Sequence, residues 1–186
     1  LNVCRIGRLC GIYFADSTKL AVCHNRRIHS NKVFKGKAAR GKTSTGWFYG
    51  LKLFLVINAF GEIMNAFLTM ANVADNHLVT MIKLFSKLKG WAFADKGFIN
   101  QKAVEELLSK GLHLITGIRR NMKNKLVLME QKILLQKRGV IESVNDILKT
   151  VCDIEHTRHR SPINALVNLY AGLCSYTFLD RLPSIF

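Results

Sequence analysis

Only 12 of the 186 residues are acidic, and two of these close apolar runs: Asp16 after Gly-Ile-Tyr-Phe-Ala and Asp95 after Gly-Trp-Ala-Phe-Ala. A carboxylate at the end of a buried strand sits at the rim of a sheet with a fixed direction. Two of them brought together repel unless a cation lies between them. Mg²⁺ suits that demand, because it takes hard oxygen ligands and keeps positions open for phosphate oxygens. A third acid, Glu142, lies in the helical run KRGVIESVNDILK. There Arg138, Glu142, Asn145 and Lys149 are spaced by four, three and four, so they share one helix face. One carboxylate between two cations suits a metal ligand whose neighbours grip a phosphate backbone. The same spacing equally suits a solvated face carrying an Arg138–Glu142 ion pair.

The charge around these acids is one-sided. Lys and Arg number 28 against 12 Asp and Glu, a net charge of +16 with a pI near 10.0. Such a surplus points to a polyanionic partner, since neutralising phosphates releases counterions; a ribosomal or merely basic protein shares the composition. With 49% hydrophobic and 22% charged residues, the chain is long enough for a single domain spanning residues 1–186 with its own core. The five cysteines (Cys4, Cys10, Cys23, Cys152, Cys174) are odd in number and irregularly spaced. A reduced, cytoplasmic compartment is therefore expected rather than a disulfide scaffold. Cys152, His156 and His159 lack a fourth zinc ligand at suitable spacing. Residues 161–179 carry no charge but include Pro162, Asn164, Asn168, Gly172 and Ser175, so a buried core helix is expected there and not a membrane span. A start at Leu1 suggests a fragment of a longer protein.

Elements must hold the acids in place. Residues 10–16 read as a short buried strand, with a second over residues 20–24. Residues 24–42 contain Arg26, Arg27, Lys32, Lys35, Lys37, Arg40 and Lys42 and no acid, which reads as an exposed basic loop. Residues 47–58 and 62–70 form a hairpin turning near Phe60-Gly61. Asp75 can cap a helix running to about Leu88. A strand over residues 90–95, a helix over 100–110, a strand over 112–116, one long helix over 127–151 and a last helix over 162–179 complete the order β-β-β-β-α-β-α-β-α-α. Strands leading before helices take over imply a mixed α/β sheet flanked by helices.

With these residues in view, the chain resembles the DDE transposases of bacterial insertion sequences. The matching stretches are FADSTKLAVCHNRRIHSNKVFKGKAARGKTSTGWFYGLKLFLVIN around Asp16, FADKGFIN around Asp95 and KRGVIESVNDILKTVCDIEHTRHRS around Glu142. The last resembles the Arg-x3-Glu-x6-Lys signature of such enzymes, here Arg138, Glu142 and Lys149, with Leu135 where the signature usually opens on Tyr. The resemblance implies a ribonuclease-H-like fold and phosphoryl transfer on DNA, at transposon ends and target, in the bacterial cytoplasm and nucleoid. It implies two Mg²⁺ (or Mn²⁺) ions held by Asp16, Asp95 and Glu142, Asp16 bridging both. Lys96, Arg138 and Lys149 would hold DNA near the ions, with Arg26, Arg27, Arg158 and Arg160 as further phosphate contacts. A homodimer on DNA fits, a membrane partner does not, and a non-catalytic DNA-binding remnant is the alternative.

One motif competes. Residues 36–43, GKAARGKT, match the P-loop pattern letter for letter. That site needs a helix directly after it, so that the helix N-terminus meets the phosphates. The next residues, STGWFYGLKLFLVI, are rich in aromatic and β-branched types and read as strand.

Overall fold

A computed structural model describes residues 7–44, 46–118 and 128–186. The strands are β1 (Ile12–Cys23), β2 (Ala39–Thr43), β3 (Gly46–Asn58), β4 (Ile63–Met70), β5 (Gly90–Ala94) and β6 (Leu112–Thr116). They make one mixed sheet in the order β2-β3-β1-β5-β6, with β4 also paired to β3. Strand β3 runs antiparallel to β1, whereas β1–β5 and β5–β6 are parallel. The helices are α1 (Leu78–Leu84), α2 (Gln101–Ser109), α3 (Met129–Gln136), α4 (Gly139–Thr150) and α5 (Pro162–Tyr176).

The helices cover both faces, and strand alternation sorts the core between them. Tyr13, Ala15, Phe54, Val56, Ala92 and Ala94 pack under α1 and α2. Phe14, Leu53, Leu55, Ile57 and Phe93 pack under α4 and α5. A smaller third cluster, Val22, Cys23, Phe34, Ala38 and Tyr49, lies beneath the basic segment. At the start of β5, Gly90 adopts φ +108°, and a Cβ there would lie 2.3 Å from the Gly11 carbonyl. Only glycine lets β5 come in beside β1 at that point.

Several expectations are corrected. The two short strands at residues 10–16 and 20–24 are one strand, β1, because β3 pairs with it along its length, from Tyr13↔Asn58 to Cys23↔Tyr49. The basic loop is not wholly exposed. Phe34 and Ala38 are buried, and its end forms β2 against β3. The P-loop match therefore runs into a strand, with no helix N-terminus behind it. Asp75 caps nothing: α1 starts after His77, and the Asp75 carboxylate accepts from Ser17 Oγ at 2.8 Å and pairs with Lys52 Nζ at 3.0 Å. Lys52 is 9% exposed, and a buried ammonium needs a counter-charge more than α1 needs a cap.

The single helix expected over 127–151, whose first residue lies outside the described set, is two helices. The chain turns at Lys137-Arg138, just before Gly139. Helix α3 buries no residue fully, while α4 buries Ile141, Val144, Asn145 and Leu148 against the sheet. A break beside a glycine re-aims the second helix at low cost. Helix α5 is buried on one side only: Leu169, Gly172, Leu173 and Tyr176 face the core, while Ile163, Val167 and Tyr170 face solvent. The Tyr176 hydroxyl donates to the Gly61 carbonyl at 2.8 Å and ties α5 to the β3–β4 turn. Among the described residues no helix is long and apolar enough to cross a membrane.

Candidate functional site

Parity and register decide which way the acids point. Side chains at Phe14 and Asp16 share the α4 face of β1, and Trp91, Phe93 and Asp95 share the same face of β5. Parallel pairing of β1 with β5 ends at Ala15↔Ala94, so Asp16 and Asp95 each stand one residue beyond the last rung, where the two strands part. Asp16 lies inside β1, still paired with Leu55 of β3, whereas Asp95 follows β5 at the exposed rim and opens a turn of 3₁₀ helix (Lys96–Phe98). The Asp95 side chain makes no capping hydrogen bond to that turn.

Helix α4 packs against β1 at Asp16. Asn145 is buried and its Nδ2 donates to Asp16 Oδ2 at 3.2 Å. Glu142, one turn earlier and exposed, is held by Arg138 Nη2 at 3.0 Å. The Asp16 carboxyl is pushed up to about 6, first by burial; Glu142 and Asp95 push it further up by repulsion, while the Ser17 backbone hydrogen bond and Arg138 pull it down. All three acids and Arg138 thus share one electrostatic neighbourhood. The acids are not drawn into a tight cluster: among the described residues no three His, Cys, Asp or Glu side chains are gathered closely enough to hold a metal ion.

The residues present nonetheless suit a hard divalent cation. Asp16, Asp95 and Glu142 would offer carboxylate oxygens, the ligands that Mg²⁺ and Mn²⁺ prefer. Asn145 Oδ1 is buried without a hydrogen-bond partner, beside a carboxylate that is itself expensive to ionise. A cation there would relieve both penalties. Glu142 would join only by leaving Arg138.

The remaining basic residues are distributed unevenly. Lys96 sits directly after Asp95 in the 3₁₀ turn. Lys149 is half-buried and paired with Glu155 at 2.9 Å. Glu155 also accepts from the Ala21 amide at 2.8 Å, so it staples α4 to β1. Arg26, Arg27, Arg158 and Arg160 are exposed. Arg27 and Arg158, far apart in sequence, line one cleft of about 400 Å³ together with His24, Lys32 and His159. Its floor reaches Cys23, about 23 Å along β1 from Asp16 at roughly 3.3 Å per residue. The His156 and His159 rings lie against each other at a 35° tilt, with centroids 3.7 Å apart.

Sequence spacing put Asn145 on the Glu142 face but did not identify it as the residue that touches Asp16. Glu155, Ser17 and Lys52 carried no local signal, and that of Asp75 pointed to a cap. Their roles come from contacts between segments distant in the chain.

A family model described as "Transposase DDE domain" matches residues 6–162. No curated protein matches the chain. Among solved structures, the chain is similar to a piggyBac transposase in a synaptic complex with hairpin DNA, with a TM-score of 0.56 and 10% identity, over 93% of this chain and 46% of that one. It is also similar to a simian T-cell lymphotropic virus intasome solved with the PP2A regulatory subunit B56 gamma, with a TM-score of 0.50 and 13% identity, over 97% of this chain and 53% of that one. At these identities the likeness is one of fold, the mixed ribonuclease-H-like sheet flanked by helices. The chain spans about half the length of each of the two.

Proposed function

This chain belongs to the transposase DDE domain family, and from that premise we propose that it cleaves DNA phosphodiester bonds and transfers strands at the ends of a bacterial insertion sequence. The observation that carries the reading is the family match over residues 6–162, supported by the placement of Asp16 and Asp95 one residue beyond the last parallel pair of β1 and β5, Ala15↔Ala94. Asp16, Asp95 and Glu142 would hold Mg²⁺ or Mn²⁺, two ions in the full site. When bound, the metal supplies Lewis-acid polarisation of the phosphate and of the attacking and leaving oxygens.

The chain's own residues supply placement. Burial makes Asp16 a costly free anion, so it favours a cation over solvent. Asn145 fixes the orientation of the Asp16 carboxylate through its 3.2 Å hydrogen bond. Arg138 holds Glu142 in reserve and would be freed toward phosphate when Glu142 turns to the metal. Lys96 follows Asp95 in the 3₁₀ turn and would meet a strand entering the site. Lys149 reaches DNA only by giving up Glu155. Arg26, Arg27, Arg158 and Arg160 would hold the phosphate backbone farther out, fixing position without reading sequence. Two copies acting on paired ends, on nucleoid DNA in the cytoplasm, belong to the same reading.

A second reading, a DNA-binding remnant without turnover, is favoured by two observations: Glu142 is engaged by Arg138, and among the described residues the acids are not clustered. Metal-dependent nicking of the element's own ends separates the two. The Asp95→Asn substitution removes charge while keeping size, so nicking should fall by several orders of magnitude while metal-free DNA affinity holds steady or rises. Asp146, exposed on α4, is the control, and Asp146→Asn should leave nicking unchanged. Equal, small effects from both would favour the remnant.

A further inference from the structure

Far from the acids, but on their face of the sheet, a tryptophan stands in solvent. Trp47, at the start of β3, is 62% exposed. Leu55 pairs with Asp16, and Trp47 lies an even number of residues back along β3, which puts both on one face. The separation along the strand is roughly 26 Å at about 3.3 Å per residue. The Trp47 ring walls a recess of about 320 Å³ with Asn25, Ile28 and Arg40, none of them acidic. Lys42, the partner of Trp47 across the hairpin, holds its ammonium 5.8 Å from the ring centre. Asn25 Nδ2 donates to the Trp47 carbonyl at 2.7 Å, which ties the preceding turn to the hairpin and keeps the recess formed.

A flat ring flanked by cations matches a ligand that is itself a flat ring joined to phosphates. Base faces inside a duplex are already stacked, so only an unpaired base can use the indole. We propose that Trp47 is a stacking platform for an unpaired base of the DNA strand, with Arg40 and Lys42 on the adjoining phosphates. The proposal rests on the reading of the chain as acting on DNA. It places that base roughly seven or eight nucleotides from the acids, at about 3.4 Å per step of a strand.

The test uses the full chain without metal and three DNA probes: a blunt duplex, the same duplex with a single-stranded extension, and an oligothymidylate. Indole fluorescence should be quenched by the two probes carrying unpaired bases and little by the blunt duplex. The signal of half-buried Trp91, the other tryptophan, is read separately in Trp47→Phe. Trp47→Ala should weaken binding of those two probes by about tenfold, the worth of one stacked base, and leave the blunt duplex within about twofold. Trp47→Phe should keep most of the affinity, which excludes a folding defect. Absence of quenching, or equal weakening of all three probes by Trp47→Ala, would overturn the proposal. The readout is independent of cleavage: a protein that never nicks DNA yet shows this discrimination upholds the stacking site and removes the proposed function, and the converse result does the opposite.

Discussion

The two ends of β1 solve opposite problems. At the Asp16 end the contacts are close: Asp16 is raised by burial, the buried Asn145 donates to it, and Arg138 answers the exposed Glu142 directly. At the Cys23 end the cations stand apart in water, Arg26, Arg27, Arg158 and Arg160 all being exposed over a small third core. Electrostatic interactions strengthen as water is excluded, so a few enclosed charges can govern chemistry. A strand of phosphates instead needs many solvated cations, each worth little. Substitutions at the first end should therefore change rates and leave affinity alone, and at the second end the reverse.

The largest effect falls on chemistry. Asp16→Asn should abolish metal-dependent nicking by several orders of magnitude while leaving blunt-duplex affinity without metal unchanged or slightly higher, as read by gel cleavage and DNA anisotropy. If nicking survived, the acid end would lose its special standing. Next comes the support beneath it. Leu148→Ala, fully buried under the sheet, should cost roughly 2–5 kcal/mol of stability in a denaturant melt and lower nicking only through unfolding. A nicking defect at full stability would show that α4 does more than carry its face.

The same burial gives the metal-free protein a pH signature. With the Asp16 carboxyl at about 6 in the folded state, against 3.8 in the ordinary one, the folded form binds its proton more tightly than the unfolded form. This penalty is absent below about pH 4, grows as pH rises to about 6 and is complete above it, on the order of 3 kcal/mol. Asp16→Asn should therefore raise the melting temperature at pH 8 by several degrees and remove this part of the pH dependence. An unchanged or lower melting temperature would mean that the carboxylate is well solvated.

The smallest effect belongs to the basic end. Lys42→Ala should weaken duplex binding slightly and equally across sequences, and make the salt slope shallower by about one unit. Tight ATP binding dependent on Lys42 would instead argue for the P-loop that the β2 strand denies.

Legibility in the sequence divides along the same line. The strands that end at the acids were legible because Gly-Ile-Tyr-Phe-Ala and Gly-Trp-Ala-Phe-Ala read as buried strands, and parallel pairing sets Asp16 and Asp95 one residue beyond its last rung. The β3–β4 hairpin and β6 were legible for the same reason, strong local pattern. The helix break at Lys137-Arg138 was not, because the apolar spacing continues through it and only packing on the sheet re-aims α4. The element string matched more closely than its parts did: the merging of two strands into β1 was offset by the appearance of β2 inside the basic segment. Asp75 read as a cap because its true partner, the buried Lys52, lies on another strand. The meeting of Arg27 with Arg158 around one cleft joins segments too distant for any spacing rule.

Everything proposed at the acid end depends on Asp16, Asp95 and Glu142 gathering around a divalent ion. A crystal grown with Mn²⁺ and a DNA end, read by anomalous scattering, tests this most directly. The expected result is Mn²⁺ density bonded to Asp16 and Asp95 at about 2.1–2.2 Å, two ions in the full site, with Glu142 released from Arg138 to join them and the density lost in Asp16→Asn. Density confined to other residues, or none at saturating Mn²⁺ with Arg138 still holding Glu142, would contradict it.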